Sequence, residues 1–161
     1  MALFHRSLRL PAYLIALLIF PLFLHAQTVS FPAFAEIPTV CQVHSQPLLL
    51  SNPGGQINGV IQVIVKLPCG LKYVPGTIAG ANEANISDLQ QPIFELNGLT
   101  AGAILPVSLD VQVDCAALPC LDQGQLFNTM VTITSNGNST TFTSDLYNVE
   151  TPRLVITKVV E

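Results

Sequence analysis

The chain has 161 residues, of which 50% are hydrophobic and only 10% charged, with a formal net charge of −4. Soluble domains usually carry about 25% charged residues, so the bias is strong, and the length allows one ordinary domain with short extras. An acidic, lysine-poor chain argues against nucleic acid and anionic lipid as partners.

Residues 1–9 hold Arg6 and Arg9 and no acid, and residues 10–24 are almost wholly apolar. That run is shorter than the ~20 residues of a comfortable helical span and has the layout of a secretory leader. Cleavage is expected after Ala26, leaving 1–26 as a signal peptide; Ala33-Phe34-Ala35 has better small residues but lies further from the apolar run. An uncleaved membrane anchor is the rival reading. Without the leader, the four remaining basic residues against ten acids leave a net charge of −6.

Residues 27–38 contain prolines and read as a flexible lead-in. Residues 39–44 are short and extended, and Leu48-Leu49-Leu50 suits a second, buried strand. Ser51-Asn52-Pro53-Gly54-Gly55 is a turn signal, followed by a long strand over residues 56–67. Pro68 cannot donate to a ladder, Gly70 permits a sharp turn, and residues 71–74 give a second short extended piece. Pro75-Gly76 fits the centre of a type II turn. Residues 79–91 read as a polar loop, residues 92–96 as a short strand, and Asn97-Gly98 as a hairpin turn.

The clearest periodicity runs from Ser108 to Cys115. Leu109, Val111, Val113 and Cys115 share one face, and Ser108, Asp110, Gln112 and Asp114 share the other, as in a half-buried strand. Residues 126–134 alternate next, with Phe127, Thr129, Val131 and Ile133 on one side. A hairpin loop over residues 135–139 leads to a return strand over 140–149. No window outside the leader has helical amphipathicity. About seven short strands with frequent turns predict an all-β antiparallel β-sandwich over residues 39–151. Residues 152–161 then form a linker and either a last edge strand or the first strand of a following repeat.

Cys41, Cys69, Cys115 and Cys120 all lie beyond the leader, and in an exported chain they read as disulfides with three possible pairings. The short Cys115–Cys120 spacing, with Pro119 to turn the chain, favours a local bridge and leaves Cys41–Cys69. Zinc is the rival, but the spacing lacks paired C-x₂₋₄-C motifs.

Other chemistry is thin. His44 is the only histidine after the leader, and it reads as a packed or solvated residue rather than a base. Asp110 and Asp114 stand about 13 Å apart along one strand face, too far for a retaining glycosidase pair. Glu83, Asn85 and Asp88 could clamp calcium, although no D-x-D-x-D-G run supports it. Asn85-Ile86-Ser87 and Asn138-Ser139-Thr140 match the glycosylation sequon. No catalytic residue, cofactor or metal is expected.

Several of these stretches together resemble a bacterial extracellular repeat family of Ig-like β-sandwich domains with no assigned function. They are the Asn52-Pro53-Gly54-Gly55 turn, the run from Leu67 to Thr77, Pro92-Ile93-Phe94, and Leu99 with Gly102 ahead of the strand to Cys115. Arg153 to Val159 is similar to the motif that opens such repeats. The resemblance implies long cell-surface, adhesin-like proteins of gliding Gram-negative bacteria. The chain is therefore expected to be a non-enzymatic structural or spacer module, extracellular or on the outer cell surface. Its partners would be neighbouring repeat domains or surface glycans and proteins, with no nucleic acid, and membrane contact only through the leader during export. The rival roles are a carbohydrate- or protein-binding adhesin domain, weakened by the absence of Trp, and an accessory domain of a secreted hydrolase.

Overall fold

The computed structural model describes residues 27–33, 38–115, 128–146 and 149. The expected leader, Cys120, Phe127 and the strand expected at 154–160 lie outside the described residues. Within them the chain forms nine strands and no helix: β1 (Thr28–Ser30), β2 (Val43–Ser51), β3 (Ile57–Lys66), β4 (Leu71–Tyr73), β5 (Asn82–Asn85), β6 (Ile93–Leu99), β7 (Ile104–Val113), β8 (Met130–Ser135) and β9 (Asn138–Thr143). They pair into two antiparallel sheets, ordered β1-β2-β7-β4 and β5-β6-β3-β8-β9. This is the antiparallel β-sandwich that the alternation implied, of the Ig-like kind that the resemblance implied.

The core forms where the inner faces meet. Leu48 and Leu50 of β2, Leu109, Val111 and Val113 of β7, Ile61, Val63 and Val65 of β3, and Val131 and Ile133 of β8 are all buried. Each comes from an every-second-residue pattern, the period that puts one set of side chains on one sheet face. Across the two sheets, Tyr73 of β4 meets Phe94 of β6 edge to face, with ring centroids 5.2 Å apart. Such a pair adds about 0.5–1.5 kcal/mol beyond its area burial.

Besides shifts in strand ends, among them a return strand that stops at Thr143 rather than 149, the strands differ from expectation at four places. First, β2 is one strand of 9 residues rather than two short ones. Its inner face carries polar His44 and Gln46 before Leu48, which hides the alternation. Buried Gln46 is satisfied across the sandwich, its Nε2 donating to Thr129 Oγ1 at 3.0 Å. Pro47 also sits inside β2, opposite Ser108. Ser108 spends both its backbone N–H and C=O on Ala79, so the missing N–H of Pro47 costs the β2–β7 ladder nothing. On the other side of β2, β1 covers only residues 49–51.

Second, β1 lies within the stretch read as a flexible lead-in. Third, the polar loop over 79–91 contains the edge strand β5, whose four residues are all exposed. It carries no apolar period because neither of its faces is covered. Fourth, Asn97-Gly98 is not a hairpin turn. β6 continues through it to Leu99, pairing with β3 across an irregularity between Ile57 and Val60. The chain reverses instead at residues 100–103, where Ala103 N–H donates to Thr100 C=O.

Two turns follow expectation. Gly76 has a φ of 81°, and Asn136 and Gly137 have φ values of 50° and 78°. The second pair tightens the expected five-residue loop to two residues, since Ser135 already pairs with Asn138. Before β5 the crossover presses against β7. A Cβ added at Gly80 would lie 2.4 Å from the Pro106 carbonyl oxygen, and its φ is +83°.

Candidate functional site

The antiparallel register of β2 and β7 decides the cysteine pairing. Val43 faces Gln112, and beyond it Cys41 N–H donates to Val113 C=O while Val113 N–H donates to Gln42 C=O. The ladder thus delivers Cys41 to Cys115, and the two form a disulfide with Cα atoms 4.7 Å apart. The expected Cys41–Cys69 and Cys115–Cys120 bridges are therefore corrected. Cys69 precedes β4, which flanks β7 on the side away from β2, with Asp114 N–H donating to Gly70 C=O. Two strand spacings, roughly 9.6 Å, separate β2 from β4, more than a disulfide spans. Cys69 is also disulfide-bonded, and Cys120, the remaining cysteine of the sequence, lies outside the described residues. Cys115 sits just past the end of β7 and is exposed, not on the inner face as the alternation suggested.

The titratable candidates are each held by local structure. His44 is buried, and its Nε2 accepts the Thr39 backbone N–H at 2.9 Å. Asp114 pairs with Lys72 at 2.6 Å in an exposed ion pair, a contact worth about 0–1 kcal/mol. Asn85 Oδ1 accepts from Ser87 N–H, and Asp88 Oδ1 accepts from Gln90 N–H. Both oxygens cap their own turns. Among the described residues no three His, Cys, Asp or Glu side chains group as metal ligands.

Glu83 of β5 does something the sequence did not suggest. Its Oε1 accepts the Tyr73 hydroxyl at 2.6 Å and the Gly76 backbone N–H at 2.6 Å. The same hydroxyl accepts Ile78 N–H at 3.1 Å. One carboxylate therefore ties the edge of one sheet to the turn that leaves the other. The hydroxyl of Tyr73, followed by the Gly76 amide, holds the Glu83 carboxyl below its ordinary range. Burial first, then the bond to Glu83, pushes the Tyr73 phenol up.

At the end of the sandwich opposite the Cys41–Cys115 bond, Asn52 is wholly buried. Its Nδ2 donates to the carbonyls of Gly55, Leu99 and Thr100 at 2.9, 3.2 and 3.1 Å. Its backbone N–H donates to Ala103 C=O, and its C=O accepts Gly102 N–H. Read as a turn residue, Asn52 is in fact the clamp between the β2–β3 and β6–β7 connections. Beside it lies a depression of about 370 Å³ between the β3–β6 edge and the start of β7, lined among others by Gln56, Asn58, Asn97, Thr100, Ile104 and Leu105.

No known family model matches the chain, and no curated protein matches its sequence. Solved structures do match its fold. The full-length major pilin SpaD of Corynebacterium diphtheriae superposes with a TM-score of 0.54 at 6% identity, covering 74% of this chain. The chain spans only 34% of that pilin's length. A DUF4466 family protein of Parabacteroides merdae gives 0.45 at 9% identity, over 77% of this chain and 44% of its own. ACE19, the collagen-binding subdomain of an Enterococcus faecalis surface protein, gives 0.42 at 10% identity, over 71% and 96%. The sandwich is thus similar in fold to part of a surface pilin.

Proposed function

We propose that the protein is a non-enzymatic, exported structural module that spaces other parts of a longer cell-surface or matrix protein, as its N-terminal part. The observation that carries this reading is the course of the described chain. Gln27 and Thr28 lie at the asparagine end, where Thr28 faces Ser51 and the Gln27 side chain donates to Ser135. The last described strand, β9, runs to the disulfide end, where Thr143 faces Met130 and Met130 faces Lys66. First and last described strands that start and finish at opposite ends suit modules stacked lengthwise, each adding about 30 Å from a ten-residue strand such as β7. Tension between the ends loads β1 against β2 and β9 against β8 in shear, while the disulfide locks the chain between residues 41 and 115. The likeness to a pilin and the resemblance to surface repeats favour the same location.

Single-molecule stretching of the full chain between handle domains tests the role. Oxidised protein should unfold in a discrete event that withholds the disulfide loop, and reduction should restore at least about 260 Å of contour length, the share of the 74-residue Cys41–Cys115 separation. Extension without a discrete unfolding event would defeat the spacer reading. Labelling of intact source cells with a membrane-impermeant reagent tests location, and an unlabelled protein would count against export to the surface.

A further inference from the structure

We propose that the depression at the asparagine end is a binding site for a short, extended, uncharged peptide. None of the residues lining it is ionisable, although the chain carries a net charge of −4. The polar groups it offers are the side-chain amides of Gln56, Asn58 and Asn97 and the hydroxyl of Thr100. Amides both donate and accept, which matches the alternating N–H and C=O groups of a peptide backbone. Between them stand Ile104 and Leu105, apolar surface for small side chains. Ile104 is 67% exposed, so one of the large hydrophobic residues left open to solvent stands at this site. No aromatic ring lines it, so a sugar ring has no stacking platform there.

The site is also built before any ligand arrives. Asn52 fixes the Leu99-Thr100 wall through two hydrogen bonds from Nδ2. On the opposite wall, Gln56 Nε2 donates to Asn58 Oδ1 at 3.0 Å and orients that amide. A Cβ at Gly98 would lie 2.9 Å from the Ile57 carbonyl oxygen, so the two walls meet in backbone-to-backbone contact. A volume of about 370 Å³ falls within the roughly 300–1,000 Å³ of small-ligand sites. Fixed walls reduce the ordering cost of binding.

The test is a ¹⁵N NMR titration of the full, disulfide-bonded chain. The probes are the blocked neutral peptide Ac-Ala-Thr-Ala-Thr-NH₂, its acidic counterpart Ac-Ala-Glu-Ala-Glu-NH₂, and chitotriose. The neutral peptide should produce saturable shifts at the amides of Gly59, Gly98 and Thr100, and the other two should not. Asn97→Ala should weaken binding about fivefold, the worth of one hydrogen bond. Ile104→Arg should abolish it. Both positions are exposed, so both variants should keep the parent melting temperature. Thr132→Ala, on the outer face of β8, should bind like the parent. The proposal fails if the neutral peptide gives no saturable shift at these amides up to about 10 mM, a weak limit of ~3 kcal/mol. It also fails if chitotriose or the acidic peptide binds equally well, or if Thr132→Ala weakens binding as much as Asn97→Ala. The stretching experiment reads none of these residues, so either proposal can fail without the other.

Discussion

The two ends of the sandwich are closed by different means. At one end a covalent bond joins Cys41 to Cys115, on two exposed positions just outside the β2–β7 ladder. At the other, a single buried side chain, Asn52, gathers three carbonyl oxygens from two connections. The disulfide acts mainly by restricting the unfolded chain, and is nearly indifferent to packing around it. The asparagine acts in the folded state, where its bonds are worth most because water is excluded. The covalent end therefore tolerates exposure, and the hydrogen-bonded end requires burial.

The largest effect expected from breaking this contrast is at the disulfide. Replacing Cys41 and Cys115 together by Ser removes a constraint over 74 residues, worth at most about 4.4 kcal/mol in the chain-entropy model because the bond at Cys69 still restrains the unfolded chain. Urea unfolding should show a lower midpoint, and a loss below about 1 kcal/mol would mean that the unfolded variant is still held together by the Cys69 bond or by residual structure. Asn52→Ala comes next. It strands the carbonyls of Gly55, Leu99 and Thr100, and should cost about 2–3 kcal/mol. Asn52→Asp should be worse, because it aims a carboxylate at those carbonyls. If the Asp variant were the more stable of the two, the donor role assigned to Nδ2 would be wrong.

The smallest effect is a pH dependence at the clamp between the ends. The Glu83 carboxyl is held below its ordinary value of 4.5 in the folded state. Its contribution is therefore fully present above about pH 4.5 and is lost as pH falls through the depressed folded value. Tyr73, shifted the other way, contributes fully below its ordinary 10.0 and less as pH rises through its raised value. Melting temperature followed against pH should fall less steeply on the acid side for Glu83→Gln than for the parent. Parallel acid limbs would remove Glu83 from the account.

The sequence was most readable where a strand has one dry face and one wet face. β7 alternates without interruption, and its inner residues Leu109, Val111 and Val113 are all buried. Turns that need a particular backbone, at Pro75-Gly76 and Asn136-Gly137, were also legible. β2 reads as two strands because His44 and Gln46 occupy inner positions, and Thr39 and Thr129, the latter distant in sequence from Gln46, satisfy them. β5 was invisible because it has no buried face at all. The Cys41–Cys115 pairing could not be read from spacing, since it follows from which strands flank β7. The same holds for the depression beside Asn52, whose walls come from residues 56–59 and 97–105. Ladder order brings them together, and ladder order is a property of the whole chain.

Gly80 carries a consequence for redesign of the chain. A side chain there would strike the backbone of Pro106, and the backbone angle itself is one that L residues rarely adopt. Neither obstacle depends on what the module does or where it is displayed. Position 80 is therefore closed to substitution by the geometry of the crossover itself, while the exposed residues of the edge strand that follows, 82–85, leave room for change.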